Sequence, residues 1–171
     1  TECASSNNGT INLLGQTGTT SFWESSTDAG ATWTPIANTT TALNYTNLST
    51  TTLYRTTVQN GTCLPALSDT VTITVDPITV GGTVSSNTTI CESNNSGTLT
   101  LTGETGNVLN WESSSDGGFT WVSIANTTTS QGYLNLSNNT LYRAVVQSGV
   151  CPSTISGIAT LTVDQATDAG N

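Results

Sequence analysis

The sequence contains no lysine, histidine or methionine, and its only basic residues are Arg55 and Arg143. Without an imidazole, the chain lacks the usual general base and nitrogen metal ligand, and without a lysine amine it cannot form a Schiff base. The absence of lysine also rules out Lys–Asn isopeptide cross-links. We therefore expect the chain not to be an enzyme.

Positive charge and long apolar runs are scarce as well. Two arginines stand against eleven acidic residues, which gives a net charge of -9. Such a chain has no electrostatic footprint for nucleic acid or an anionic membrane. Apolar runs such as Val145-Val146 are far too short for a membrane span or a signal peptide, so we expect a secretion signal to be removed or to lie outside this segment. The sequence predicts no nucleic-acid partner and no membrane insertion.

Threonine, serine, asparagine and glycine take the place of the charges. Threonine favours pleated, half-buried surfaces, whereas the other three favour turns. Apolar residues alternate with threonine in Thr-Val-Thr-Ile-Thr-Val at 70–75 and in Thr-Leu-Thr-Leu-Thr at 98–102. A period of two marks a strand with one buried face. The sequence therefore predicts a folded, all-β protein rather than a disordered one.

The sequence repeats itself after 88 residues without a gap. Cys3 falls on Cys91, Cys63 falls on Cys151, and the run Leu-Tyr-Arg at 53–55 recurs at 141–143. Repeats of this kind indicate tandem structural units. We predict repeat 1 at 1–76, with its leading strand truncated, repeat 2 at 77–164, and the start of a third repeat or a tail at 165–171. The chain is then two repeats of a longer array.

Each repeat predicts about seven short strands separated by turn signals, which is typical of a β-sandwich. In repeat 1 the strands are expected near 10–14, 20–26, 32–37, 42–46, 52–59 and 69–76, with a leading strand near Cys3. The spacing Leu-x-x-x-Thr-x-Tyr resembles the tyrosine corner of immunoglobulin-like and fibronectin type III domains; its residues are Leu48, Tyr54, Leu136 and Tyr142. The resemblance implies two tandem sandwiches, a Tyr hydroxyl tied to the preceding loop, and core tryptophans at Trp23 and Trp111.

The pattern Ser-x-Asp-x-Gly-x-Thr-Trp occurs at 26–33 and at 114–121 and resembles the Asp-box best known from sialidases. A sialidase site would need a cluster of arginines, and each repeat has one. The aspartate can instead accept backbone N–H bonds while the glycine supplies a positive φ. We therefore predict structural hairpins, built by Ser26, Asp28, Gly30, Thr32 and Trp33 in repeat 1 and by Ser114, Asp116, Gly118, Thr120 and Trp121 in repeat 2.

Both arginines are expected in surface ion pairs. Trp23 and Tyr54 should point into the core, so Glu24 and Arg55 point outward from adjacent strands. The same reasoning pairs Glu112 with Arg143. An exposed pair of this kind contributes about 0.2–1 kcal/mol. A ligand contact is the alternative for these residues.

The four cysteines do not follow the Cys-x-x-Cys spacing of a zinc site. In the immunoglobulin-like topology we expect the N-terminus and the hairpin after Asn60-Gly61 to lie at the same end of the sandwich. That predicts the bridges Cys3–Cys63 and Cys91–Cys151, each contributing about 4 kcal/mol in the chain-entropy model. Four buried free thiols are the alternative. Bridged cysteines imply an oxidising, extracytoplasmic location.

No cofactor is expected. Calcium at the repeat junctions, near Asp76 and Asp164, is the one ion left open, although the sequence has no Asp-x-Asp string to supply several oxygen ligands together. Thr70, within Asp69-Thr70-Val71, matches the short O-glycosylation acceptor used by Bacteroidetes.

Taken together, the Trp-Glu-Ser-Ser-x-Asp-x-Gly-x-Thr-Trp, Ile-Ala-Asn-Thr-Thr-Thr and Leu-Tyr-Arg motifs are similar to one family. This family comprises the tandem immunoglobulin-like repeats of giant Bacteroidetes cell-surface proteins, such as the flavobacterial gliding-motility adhesin. The resemblance implies type IX secretion, attachment at the outer membrane and a stalk-like, adhesive filament. Its implied partners are neighbouring repeats of the same chain, the outer-membrane gliding and secretion machinery, and external surfaces or polysaccharides.

Two alternatives remain open at this point. The first is a carbohydrate-binding module of a secreted polysaccharide-degrading enzyme, because Phe22, Trp33, Phe119 and Trp121 would stack on sugars if they were exposed. The second is an enzyme, for which the carboxylates are too scattered and no nucleophile has a base.

Overall fold

The computed structural model describes residues 1–85 and 87–167, and all of its regular elements are strands. The chain divides into two compact units, Thr1–Ile78 and a second that begins at Thr79. Each unit is an all-β sandwich. None of the described residues forms a helix that is long and apolar enough to cross a membrane.

Unit 1 contains nine strands, five of which form its main sheet. The order in that sheet is β4-β3-β6-β7, with β8 also pairing with β6, while β2 and β5 form a second, two-stranded sheet. The strands are Glu2–Cys3 (β1), Asn8–Asn12 (β2), Thr19–Ser26 (β3), Thr34–Ile36 (β4), Ala42–Thr46 (β5), Thr52–Gln59 (β6), Ala66–Leu67 (β7), Val71–Ile73 (β8) and Val75–Asp76 (β9).

Unit 2 has the same arrangement with two differences. It begins with one additional strand, and a single last strand takes the place of β8 and β9. Its main sheet has the order β11-β18-β16-β13-β14, with β17 also on β16, and the second sheet has the order β10-β12-β15. The strands are Thr83–Val84 (β10), Thr88–Cys91 (β11), Ser96–Thr102 (β12), Asn107–Ser114 (β13), Val122–Ile124 (β14), Ser130–Leu134 (β15), Thr140–Gln147 (β16), Thr154–Ile155 (β17) and Ala159–Asp164 (β18).

The core of each unit is built around one tryptophan on the long strand β3 or β13. Trp111 is fully buried and Trp23 is 2% exposed. The indole N–H of Trp23 donates to the Thr40 carbonyl at 2.9 Å, and that of Trp111 donates to the Thr128 carbonyl at 2.8 Å. A buried indole needs such a partner. Asn38 holds the acceptor loop, since its side-chain oxygen accepts from the Thr40 backbone N–H at 2.8 Å.

The first and last strands of each unit run parallel to each other. In unit 1, Cys3 lies opposite Asp76, and the Glu2 N–H donates to the Thr74 carbonyl at 2.8 Å. In unit 2, β11 pairs with β18 over four residues, from Thr88–Leu161 to Cys91–Asp164. The strand expected over 69–76 is therefore divided at Thr74, because the chain leaves β6 as its partner and joins β1.

Candidate functional site: the Asp-box hairpin and its arginine stack

The hairpin after β3 is closed by side chains rather than by a ladder of backbone bonds. The Asp28 carboxylate accepts the Thr32 backbone N–H at 2.9 Å and also the Thr32 hydroxyl. The Ser26 hydroxyl donates to Asp28 at 2.7 Å and accepts the Gly30 N–H at 2.9 Å. Gly30 has a φ of +90°, a conformation that a side chain would oppose. These bonds are local and use every polar atom of the motif for the turn.

The hydrogen bonds also determine the protonation of the aspartate. The Thr32 hydroxyl, then the Thr32 backbone N–H and the Ser26 hydroxyl, lower the pKa of Asp28 from 3.8 to about 2. The equivalent Asp116 accepts the Thr120 hydroxyl and N–H and the Ser114 hydroxyl, and its pKa is lowered in the same way. Hydrogen bonds to a carboxylate favour its charged form. Both residues are therefore ionised near neutral pH, where they are poor general acids.

The tryptophan that ends each Asp-box lies under an arginine. The indole N–H of Trp33 donates to the Gly30 carbonyl at 3.0 Å, which folds the ring back over the hairpin. The Arg55 guanidinium carbon lies 3.9 Å from the centre of the Trp33 ring. In unit 2, Arg143 lies 3.8 Å from the Trp121 ring centre. A cation–π contact of this kind contributes about 0.5–1 kcal/mol at a surface.

The predicted ion pairs are present on the same face. Arg55 Nε lies 2.8 Å from Glu24 Oε2, and Arg143 Nε lies 2.6 Å from Glu112 Oε2. Each pair joins residues directly opposite each other on adjacent strands, as the registers of β3 with β6 and of β13 with β16 show. Both arginines of the chain therefore have a carboxylate partner and an aromatic partner inside their own unit.

This arrangement can brace a hairpin but offers little to a substrate. One arginine per unit, already paired and stacked, cannot form the carboxylate-binding cluster of a sialidase. A guanidinium covers one ring face of Trp33 and one of Trp121, so that face cannot stack on a sugar. Phe119 is 90% exposed, but Ala31 stands at its place in unit 1, so no exposed aromatic platform is repeated.

The predicted bridges Cys3–Cys63 and Cys91–Cys151 are wrong. Cys3 and Cys151 are disulfide-bonded, whereas Cys63 and Cys91 carry free, exposed thiols.

The physical reason for this error is the parallel pairing of the terminal strands. Cys3 lies beside Asp76, beyond the start of β6, while the Cys63 carbonyl accepts from the Gln59 side chain at the other end of β6. The eight residues of β6 span about 23 Å, and bridged cysteines need Cα atoms within about 7 Å.

The cysteines of unit 2 are separated in the same way. Cys91 lies opposite Asp164, and the Cys151 carbonyl accepts from Gln147 at the far end of β16.

Sequence reasoning missed a buried asparagine that ties the loop before β6. Asn7 is 4% exposed, donates to the Cys3 and Leu48 carbonyls at 2.7 and 2.8 Å, and accepts the Leu48 N–H at 2.9 Å. Asn95 does the same for Cys91 and Leu136. The sequence signal was an asparagine four residues after the first cysteine of each repeat. Tyr54 is buried and Leu48 packs on the core, while the hydrogen bond expected from the Tyr hydroxyls stays a prediction.

The remaining predicted positions lie at the surface or at the ends of the units. Thr70 is exposed between β7 and β8, so it is accessible for modification. Asp164 is exposed, and its carbonyl accepts the Glu92 N–H at 2.8 Å. The Asp76 carbonyl accepts the Ala4 N–H at 2.9 Å. Within 1–85 and 87–167, no three acidic or cysteine side chains are grouped so that they could hold a metal ion.

Two solved structures, with TM-scores above 0.5, are similar to this chain in fold. A marsupial T cell receptor gives a TM-score of 0.58 at 10% identity, covering 96% of this chain and 70% of that one. Three N-terminal domains of the bacteriophage RB49 outer capsid protein Hoc give 0.57 at 12% identity, covering 95% and 67%. The FN1–FN3 domains of chicken CNTN1 give 0.44 at 16% identity, covering 95% of this chain and 64% of that one.

At these identities the likeness concerns the fold alone. The chain spans about two thirds of the length of these structures. No curated protein matches the sequence significantly. A family model described as a domain of unknown function (DUF8696) matches residues 1–77 and again residues 80–165. The chain therefore belongs to the DUF8696 family, as two consecutive copies of its domain.

Proposed function

We propose that the chain is a load-bearing repeat segment of a large adhesive filament protein on a bacterial cell surface. The motif resemblance favours a gliding-motility-type adhesin of Bacteroidetes, exported by the type IX system and attached at the outer membrane. In this role neighbouring repeats of the same chain are the immediate partners. The external surface or polysaccharide is bound through the parent protein rather than through a pocket of the repeat.

The composition and the bonded cysteines support this location. Disulfides persist in oxidising, extracytoplasmic environments, and Cys3 and Cys151 are disulfide-bonded. A chain without lysine offers few sites to trypsin-like proteases. Immunoglobulin-like and fibronectin-like repeats typically serve as structural or adhesive modules, and both units keep the same sheet arrangement.

The observation that carries the proposal is the parallel pairing of terminal strands in each unit. When tension pulls the two ends of a unit apart, parallel terminal strands must slide along each other. All the hydrogen bonds between them then bear the load together, whereas an antiparallel terminal hairpin would open one bond at a time. The pairings β1–β9 and β11–β18 both have the geometry that resists tension.

Single-molecule force spectroscopy on the chain with its disulfide-bonded cysteines reduced tests this role, because the tension then passes through the backbone of each unit. In unit 2, the Glu92 N–H donates to the Asp164 carbonyl at 2.8 Å at the end of the β11–β18 pairing. Glu92→Pro removes that donor, so we expect a lower unfolding force for unit 2 and an unchanged force for unit 1. Glu92→Ala keeps the amide and is the matched control, with the force of the unmodified chain.

Two results would contradict the proposal. One is unfolding of both units at forces typical of domains that open one hydrogen bond at a time. The other is tight binding of a polysaccharide that Trp121→Ala abolishes without unfolding, because that would favour the carbohydrate-binding module.

A further inference from the structure

Unit 1 contains an open apolar groove of about 560 Å³. Leucine and valine side chains line it, and several are strongly exposed: Leu14 is 85% exposed, Leu64 is 91% exposed and Leu67 is 56% exposed. The groove runs along the free edge of β2, which pairs only with β5 in its two-stranded sheet. An unpaired edge beside exposed apolar side chains can accept another strand.

In unit 2 a strand already fills the equivalent place. Thr83 and Val84 pair with Thr102 and Leu101 of β12, and Val80 pairs with Thr105. At the start of this segment, the Thr79 hydroxyl accepts the Ser148 N–H at 3.0 Å. The residues of unit 2 that contact this segment are Thr102, Leu101, Thr105 and Ser148. Their equivalents 88 residues earlier are Leu14, Leu13, Thr17 and Asn60, and all four line the groove.

The covering strand accounts for the difference in burial between the units. Val146 is fully buried in unit 2, whereas the equivalent Val58 is half-buried in unit 1. Ala159 is 1% exposed, whereas the equivalent Val71 is 37% exposed although it is the larger residue. The apolar residues of the groove therefore occupy positions that are core positions when the strand is present.

We propose that the groove of unit 1 binds the junction segment of another copy of the repeat, with the sequence type Thr-Val-Gly-Gly-Thr-Val of residues 79–84. The two glycines give the groove its selectivity. A Cβ on Gly81 would lie 2.1 Å from the Ile155 carbonyl oxygen, and Gly82 has a φ of +72° with a Cβ position 2.7 Å from the Thr102 carbonyl oxygen. Residues with side chains do not fit at these two places. The identity of the partner rests on the repeat array of the proposed function, but the test below requires neither force nor adhesion.

Hydrogen exchange on a chain with residues 77–88 placed directly before Thr1 tests the proposal. This extension has the same register before Thr1 as it has before Thr89 in the sequence. In unit 2 the segment protects the N–H groups of Thr105, Ser148 and Gly157. We expect the equivalent amides of Thr17, Asn60 and Asp69 to exchange at least about tenfold more slowly in the extended chain.

The matched control has valine in place of both glycines of the extension and is expected to leave these amides unprotected. A free peptide of residues 77–85, added to the unextended chain at up to millimolar concentration, distinguishes the source of the strand. Protection by the peptide means that a second molecule can supply it, and protection only by the extension means that it comes from the same polypeptide. Unchanged exchange in both cases, or equal protection by the valine extension, would overturn the proposal.

Discussion

Single polar side chains hold loops of this protein in place through hydrogen bonds to the backbone. Asn95 is 8% exposed; it donates to the carbonyls of Cys91 in β11 and of Leu136 in the loop that precedes β16, and it accepts the Leu136 N–H. Buried backbone groups that lose a partner cost about 1–3 kcal/mol each.

Asn95→Ala should therefore lower the free energy of unfolding of unit 2 by about 2–3 kcal/mol, measured by urea denaturation. Asn94→Ala is the matched control, because Asn94 is exposed and alanine keeps its backbone N–H, which donates to the Glu92 carbonyl. Equal effects of the two substitutions would show that the Asn95 side chain does not hold the loop.

The Asp-box aspartates give the protein a dependence on acid. Because the pKa of Asp28 is about 2 in the folded state and 3.8 as its ordinary value, the hairpin is stabilised at pH values above about 4. This stabilisation is lost as the pH falls from about 4 through about 2. When urea denaturation is recorded between pH 7 and pH 2, the midpoint urea concentration should decrease as the pH is lowered from about 4 to about 2.

Asp28→Asn should weaken the fall for unit 1 and lower its stability at pH 7, since the amide has one acceptor oxygen instead of two. Asp69→Asn, outside the hairpin, should leave the profile as it is. A profile for Asp28→Asn that matches the unmodified chain would exclude the aspartate as its source.

At the scale of elements, the alternation of apolar and polar residues predicted those strands that depend only on their local sequence. β6 is found at Thr52–Gln59, as expected, because apolar and polar residues alternate along it and one face is buried. The division of the last strand at Thr74 could not be predicted, because it depends on a strand more than seventy residues earlier in the chain. The same non-local pairing places Cys3 at the opposite end of the sandwich from Cys63, so the predicted bridge between them cannot form. The corresponding pairing separates Cys91 from Cys151.

The site followed the same rule. The Asp-box hairpins are closed within eight residues, so the motif alone was enough to anticipate their role. The stacking of Arg55 on Trp33 joins two distant segments and was not predicted. The sequence predicted only the ion pair of Arg55 with Glu24.

One tight element junction is open to a direct test. Gly106 precedes β13 with a φ of +119°, and a Cβ there would lie 2.4 Å from the Gln147 carbonyl oxygen. Gly106→Ala combines backbone strain with a clash against a paired strand, so we expect a loss of about 3 kcal/mol in unfolding free energy. Gly103→Ala is the matched control: its φ is +74°, but a Cβ meets nothing within 4 Å. It should cost only about 1 kcal/mol. Similar losses at both positions would mean that the approach to Gln147 is unimportant.

At the scale of the whole molecule, the two units share a design but differ in how well their cores are filled. Among the residues that the structure describes, nine buried hydrophobic residues form the core cluster of unit 2, against three in unit 1. Thr56 occupies the core position that Ala144 has in unit 2, and the buried Thr20 hydroxyl has no hydrogen-bond partner in the described part of the chain. An unpaired buried hydroxyl costs free energy.

We therefore expect unit 1 to unfold before unit 2. The strands β6 and β16 provide a matched comparison, because Thr-Leu-Tyr-Arg-Thr-Thr-Val-Gln and Thr-Leu-Tyr-Arg-Ala-Val-Val-Gln differ at only two positions. In hydrogen exchange with mass spectrometry at increasing urea, peptides from 52–59 should lose protection at a concentration about 1 M or more below peptides from 140–147. Thr20→Val, which places the side chain of the equivalent Val108 in unit 1, should narrow the gap by removing the unpaired hydroxyl. Loss of protection at one common urea concentration would mean instead that the two sandwiches unfold as a single cooperative body despite their unequal cores.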